Sequence, residues 1–392
     1  MLSLEDLPVK GKRVLLRLDL NVPLNSDGTI ADETRIVEAL PSIQYLLQKD
    51  ASIIILSHLG RPKGVDPTLS LKPIAHRLGK LLGKPVPCLD KASTNLTPGS
   101  VILLENLRFN PAEEKPSLDP HFAEQLAECG DYYVDDAFGA AHRDHSSITR
   151  ICTHFPGKCA AGFLLQKEVQ AFEPLLHNPK RPFYAVVGGS KISSKIGVLK
   201  ALLKKVNALF IGGGMAYTFF KAQGVSIGES IHEDDQLDEA RALLELSHKS
   251  QVPLFLPTDL VIADGYKEDA RSQTISAQEG IPDGWQGMDI GPKTVELWSF
   301  AFKKCHTLFW NGPVGVFEMR RFAHGTESLA RSIGALDAQT VVGGGDSIAA
   351  INQFHLGINF SHLSTGGGAS LELLEFGTLP GIEALEKNQS AT

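Results

Sequence analysis

The stretch FYAVVGGSKISSKIGVLKALLKKVNALFIGGG, residues 183–214, holds the pattern from which the fold is read. An apolar run breaks at Gly188 and Gly189, a helical pattern follows, and a second apolar run breaks at Gly212, Gly213 and Gly214. Neither run alternates polar with apolar residues, which is the pattern of strands covered on both faces of a parallel sheet. Two such strands joined through a helix make a right-handed crossover. Glycine after a strand lets the main chain approach a ligand, and N–H groups at a helix N-terminus attract anions. The stretch is not a Walker A loop, because G-x-x-x-x-G-K-[ST] is absent. Lys191 and Lys195 stand four residues apart, which on first helical turns would place them on one face.

The same grammar extends along the chain. RVLLRLDL, SIIILS, SVILLEN, YYVDDAFG, VPLFLP, TLFWNGP and TVVGGGD are further strand-length runs. DETRIVEALPSIQYLLQK, LDPHFAEQLAEC and DDQLDEARALLELSHKS carry helical spacing between them. Alternating strands and helices argue for an α/β fold with parallel sheets flanked by helices. A chain of 392 residues is long enough for two or three domains. LLHNPKRPFY, with two prolines and two basic residues, reads as a domain junction near residues 174–182. Residues 258–292, rich in Asp, Gly, Ser and Pro, read as irregular with a small antiparallel hairpin.

Composition excludes several classes. A formal charge of -7 argues against a nucleic-acid scaffold held by bulk positive charge. Five cysteines without a C-x-x-C pair fit reduced thiols in a cytoplasm rather than a disulfide framework. The first residues lack an apolar export core, and no apolar run reaches membrane-spanning length. No cluster has zinc spacing, and there is no G-x-S-x-G elbow. A dinucleotide-dependent oxidoreductase is disfavoured, because no G-x-G-x-x-G opens a first helix.

In doubly wound sheets ligands bind beyond the carboxyl ends of the strands. In the first half those ends carry charge: Arg17, Asp19 and Asn21; His58 and Arg61; Glu105 and Arg108; Asp135, Asp136, His142 and Arg143. In the second half they carry glycine: Gly188–Gly189, Gly212–Gly214, Gly343–Gly345 and Gly366–Gly368. The first half is suited to gripping a small anion with side chains, and the second to cradling a nucleotide's phosphates on backbone. Asp346, after three glycines, is read as a carboxylate for Mg²⁺ rather than as a helix cap.

RLDLNVP, SHLGRP, LLENLRF, DAFGAAHR, GGSKISSKI, FIGGGMAYTF, DIGPKT, LFWNGPVGVFE, GGGDS and STGGGAS together resemble the phosphoglycerate kinases, from about residue 4 onward. The resemblance implies two Rossmann-like, doubly wound domains joined by a hinge. It implies residues 1–173 for 3-phosphoglycerate, 174–370 for the nucleotide, and 371–392 returning to the first domain. The implied reaction moves a phosphoryl group between 1,3-bisphosphoglycerate and ADP, giving 3-phosphoglycerate and ATP, with Mg²⁺, in a cytoplasmic monomer. By the same likeness Asp19, Asn21, Arg35, His58, Arg61, Arg108 and Arg143 bind the glycerate. Lys191 follows the transferring group, with Arg35, Gly367 and Gly368 as the other catalytic positions. Lys195, Gly212, Gly213, Asn311, Glu318, Gly343, Gly344, Gly345, Asp346 and Ser347 are nucleotide positions, Glu318 facing the ribose and Asp346 the metal. Two residues depart from the family pattern. Asp144 places a carboxylate beside Arg143, where it is expected to weaken that arginine's pull on an anion, and Ser194 stands where an acidic residue or threonine is frequent.

Overall fold

The computed structural model describes residues 1–91 and 96–389. The chain divides into two compact units, Met1–Gln170 with Thr378–Thr392, and Ala171–Gly377.

Unit one is built on six parallel strands: β1 (Arg13–Leu18), β2 (Ser52–Leu56), β3 (Cys88–Leu89), β4 (Val101–Leu104), β5 (Tyr132–Asp136) and β6 (Cys159–Ala161). Their order is β3-β4-β2-β1-β5-β6. Every residue of β2 and β4 is buried, as continuous apolar runs require when helices cover both faces. Leu16, Leu18, Ile53 and Ile55 pack with Ile36, Ile43, Ile74 and Leu78 from the helices Thr34–Gln48 and Lys72–Leu82. Each such side chain contributes about 1.5–3 kcal/mol of transfer free energy. The helix Lys72–Leu82 starts with a proline in its first turn and ends on left-handed Gly83. Glu105 ties down its start, accepting from Leu71 N at 2.7 Å and from Ser70 Oγ at 2.6 Å.

The helix Pro380–Gln389 belongs to this unit. Asn388 donates from Nδ2 to the Cys152 carbonyl at 2.7 Å and accepts from Gly157 N at 3.0 Å.

Unit two carries β7 (Phe183–Val187), β8 (Ala208–Ile211), β9 (Leu254–Phe255), β10 (Asp259–Ala263), β11 (Ser272–Ser276), β12 (Gln286–Ile290), β13 (Thr307–Asn311), β14 (Gln339–Gly343) and β15 (His362–Leu363). Six form a parallel sheet in the order β15-β14-β13-β7-β8-β9. Phe210 and Trp310 on this sheet pack with Trp298 and Phe302 of the helix Pro292–Phe302. The stretch 183–214 folds as read, into β7, the helix Ile196–Leu202 and β8, with β7 and β8 parallel neighbours.

Two sequence expectations change and a third is extended. The first division falls after residue 170, not 173, because the helix Phe163–His177 runs through the expected junction. The second falls after residue 377, not 370, because the helix Gly368–Phe376 packs on Ile196–Leu202 inside unit two. Within residues 258–292 the expected antiparallel hairpin is present as β10 and β11, and β12 adds a third strand, in the order β11-β10-β12. The outer strand β11 is half-exposed SQTIS, without the apolar run by which the other strands were legible. Among the described residues no helix is long and apolar enough to cross a membrane.

Replacing Asn388 by Ala removes the acceptor of the Gly157 N–H and one donor to the Cys152 carbonyl, which keeps Phe155 N at 3.1 Å. The substitution is expected to lower stability by about 1–3 kcal/mol, read from the midpoint of urea unfolding.

Candidate functional site

In unit one the polar residues collect where β1 and β2 end. Ser57 staples these ends, its Oγ accepting from Leu20 N at 3.0 Å and donating to the Leu18 carbonyl at 2.8 Å. Asp19 emerges next and forms an ion pair with Arg35 of the helix Thr34–Gln48. Asn21 crosses to the other strand end, its Oδ1 accepting from Gly60 N at 2.8 Å. Arg108, in a short turn after β4, donates to the Gly60 carbonyl at 2.6 Å and lies 3.2 Å from Glu114. His58 is buried, with Nε2 4.0 Å from Asp19 Oδ1. A Cβ on Gly139 would strike the Asp19 carboxylate, so glycine there leaves room for the Asp19–Arg35 pair.

The structure thus gathers Asp19, Asn21, Arg35, His58 and Arg108. Arg61 and Arg143 are exposed beside them. Arg61 follows Gly60 directly and makes no hydrogen bond or ion pair among the described residues. Arg143 is near enough to His142 and His145 for its charge to act on both.

Electrostatics assigns the positive charge to the arginines. Burial, with neighbouring arginines, pushes His142 down to about 4 and His145 down to about 3. Burial likewise holds His58 well below the ordinary imidazole range, against the pull of Asp19. Burial opposes the charge on Asp19, but Arg35 and Arg17 help to outweigh it and hold that carboxyl below its usual range. At neutral pH the histidines are therefore neutral donors or acceptors.

Asp144 does not engage Arg143. Its carboxylate pairs with Arg150 at 2.6 Å and accepts from Thr149, so the expected weakening of Arg143 has no contact behind it.

In unit two the strand-end loops interlock through glycine. Gly188 N donates to the Asn311 carbonyl at 2.8 Å, Gly189 N to Pro313 at 2.9 Å and Gly213 N to Val314 at 3.1 Å. Gly213 has φ +67, and a Cβ there would lie 2.7 Å from Gly189 N. These loops floor a cavity of about 440 Å³ that Gly213, Glu318 and Asp346 also line. Lys195 donates to the Gly188 carbonyl at 2.6 Å. Burial pushes its ammonium down to about 8, against the attraction of Asp346.

Asp346 is exposed in the first turn of the helix Gly345–Gln353, whose cap residue is Gly344, so it is not the helix cap. Gly367, at φ +55, caps the helix that Gly368 begins.

One sequence reading is corrected here, and three of the expected nucleotide positions are found tying loops together. Lys191 and Lys195 share no helical face, because the chain turns at Ile192 and the helix starts only at Ile196; Lys191 is exposed. Asn311 directs its amide to the Gly343 carbonyl at 2.8 Å. Ser347 Oγ accepts from Gly312 N at 2.6 Å and donates to Gly343 O at 3.0 Å. Both side chains use their polar groups to tie loops together and do not line the cavity. Gly212 is likewise buried, against Val314.

Sequence reasoning missed the cavity's other wall. Tyr266, Tyr217 and Met288 line it, two of them from the segment read as irregular. The available signal was Gly287, where a Cβ would run into the Tyr217 ring.

Comparison with known proteins agrees in kind. The family model for phosphoglycerate kinase matches residues 4–376. The phosphoglycerate kinase of Thermosynechococcus vestitus is 51% identical over 98% of both chains. The protein of Nicotiana tabacum named "Phosphoglycerate kinase, cytosolic" is 49% identical over 98% of both. The solved structure of phosphoglycerate kinase from Coxiella burnetii matches with a TM-score of 0.88 and 41% identity, covering 98% of this chain and 99% of that one.

The glycine geometry is testable with an internal control. Gly213→Ala meets both a left-handed backbone and a steric block, and is expected to destabilise by at least about 1–3 kcal/mol. Gly345→Ala, with nothing within 4 Å of the added carbon, is expected to be neutral or to stabilise by about 0.4–1 kcal/mol. Thermal unfolding of both variants checks the contrast.

Proposed function

The chain belongs to the phosphoglycerate kinase family, and from that premise we propose how its residues divide the reaction. The reaction is reversible phosphoryl transfer between 1,3-bisphosphoglycerate and ADP, giving 3-phosphoglycerate and ATP. Asp19, Asn21, Arg35, His58, Arg61, Arg108 and Arg143 hold the glycerate in unit one. The cavity of unit two takes the nucleotide, with Glu318 toward the ribose and Lys195 toward the phosphates. The observation that carries this reading is the glycine-floored cavity in which Glu318 and Asp346 stand together. Arginine grips carboxylate and phosphate through paired donors, which suits the two anionic ends of the glycerate.

Asp346 is the residue that would hold Mg²⁺. That ion takes oxygen ligands, commonly one or two carboxylates with substrate phosphates and water. The residues fit: an exposed carboxylate lines the cavity. When bound, the ion neutralises phosphate charge.

No general base is needed. In the ATP-consuming direction the nucleophile is the substrate's own carboxylate, ionised at neutral pH; in the other it is a phosphate oxygen of ADP. Catalysis then rests on positioning and on stabilising charge over the moving phosphoryl oxygens. Arg35, Lys191 and the N-terminus at Gly367 and Gly368 supply that stabilisation. The reacting atoms must come within about 3–3.5 Å, so a hinge closure that also excludes water belongs to the cycle. We further place the chain in the cytoplasm as a monomer. All five cysteines are free thiols, and the tobacco relative is named cytosolic.

A coupled assay of ATP consumption with 3-phosphoglycerate tests the reading directly; no 3-phosphoglycerate-dependent turnover ends it. Lys191→Ala is expected to lower kcat by about 10²–10³-fold; turnover within a few-fold of wild type removes Lys191 from the mechanism. Lys195 is charged below about pH 8 and loses its charge as the pH rises through that value. Nucleotide affinity is therefore expected to weaken from about pH 7 to about pH 9, and Lys195→Gln to flatten that dependence in titration calorimetry.

A further inference from the structure

We propose that Arg17 is a positioning residue for the reaction, fixing His58 in the tautomer that carries its proton on Nε2, and that Glu113 and Ser147 fix Arg17 in turn. The proposal rests on the reading that His58 faces the glycerate.

Arg17 is 0% exposed, so it cannot itself touch a substrate. Its Nη2 lies 3.1 Å from His58 Nδ1. A guanidinium has five donors and no acceptor. Nδ1 must therefore accept, and the single proton of the neutral ring sits on Nε2. That nitrogen is the one 4.0 Å from Asp19 Oδ1, among the glycerate-binding residues. A second proton, on Nδ1, would point straight at the Arg17 charge. The charged and titratable groups around the ring are Asp19, Arg17, Arg108 and His145. Of these only Asp19 favours an imidazolium.

Arg17 is held as firmly as the ring it holds. Its Nε donates to Ser147 Oγ at 2.8 Å, and Nη1 donates to the Leu18 carbonyl. Ser147 Oγ in turn donates to Glu113 Oε1 at 2.6 Å, and Ser147 N donates to Glu113 Oε2 at 3.1 Å. The serine thus uses its one hydroxyl proton and a lone pair in a single direction, from guanidinium to carboxylate. Glu113 is also 0% exposed and lies 3.8 Å from Arg17 Nη2. Tyr133 donates to the Ser147 carbonyl at 2.7 Å, fixing the serine's main chain. The chain Glu113–Ser147–Arg17–His58 joins four parts of the sequence at one strand end and presents an N–H donor on the side of Asp19.

The test is nitrogen-15 spectroscopy of the full chain labelled at histidine, with the His58 signal assigned from His58→Gln. In the wild type His58 is expected as the neutral ring protonated at Nε2 across about pH 6–8. Addition of 3-phosphoglycerate is expected to shift Nε2. Arg17→Met is expected to give a mixture of tautomers or a ring titrating near the ordinary value of about 6.5. With it, kcat/KM for 3-phosphoglycerate should fall by up to about 10²-fold. Ser147→Ala, a milder change, should broaden the tautomer balance in the same direction and keeps the test open if Arg17→Met does not fold. A wild-type ring protonated at Nδ1, or a tautomer unmoved by both variants, overturns the proposal. A fixed tautomer that 3-phosphoglycerate leaves unshifted overturns instead the placement of the glycerate at His58, and with it Arg17's role in the reaction.

Discussion

A guanidinium with no exposed surface has to be compensated, and much of the unit-one site follows from how Arg17 is. It stands on β1 with Glu113 3.8 Å away, and Asp135 is its register partner on β5. Removing one partner of a buried ion pair costs about 3–5 kcal/mol, because the other charge remains. The strand ends, the loop around Glu113 and the turn at Ser147 are therefore held to one arrangement. That arrangement places Asp19, Asn21 and His58 at the mouth of the sheet. Burial keeps the histidines neutral, so the positive field is left to arginines, whose charge does not vary over the physiological pH range.

Unit two solves its problem with main chain. Gly188, Gly213 and Gly312 pass so close that a side chain on any of them would meet neighbouring backbone. The buried Asn311 and Ser347 occupy the layer beneath, where they satisfy backbone groups that the crossing loops would otherwise leave unpaired. Residues with recognisable binding chemistry can thus serve a site by shaping it from below.

The α/β architecture was legible because parallel strands buried on both faces must be continuously apolar, as β2, β4 and β8 are. The charged strand ends were legible for the complementary reason: a buried strand has no cause to end in arginine or histidine unless something there requires charge. What escaped was governed by tertiary context. Four-residue spacing between Lys191 and Lys195 carries no facing information until the helix is known to have begun. Tyr266 and Met288 reach the cavity from an antiparallel sheet whose outer strand has little apolar content. In sequence Arg17 looks like the exposed Arg61 and Arg143, and only burial separates the residue that organises the site from those that border it.

The hydrogen bond from Asn388 to the Cys152 carbonyl spans 236 positions. Translation runs in one direction, so the ribosome must finish all of Ala171–Gly377 before that carbonyl meets its partner. Unit two, a contiguous stretch, can fold while unit one still lacks its last helix. Unit one therefore gains its last helix only after the whole of unit two has been synthesised.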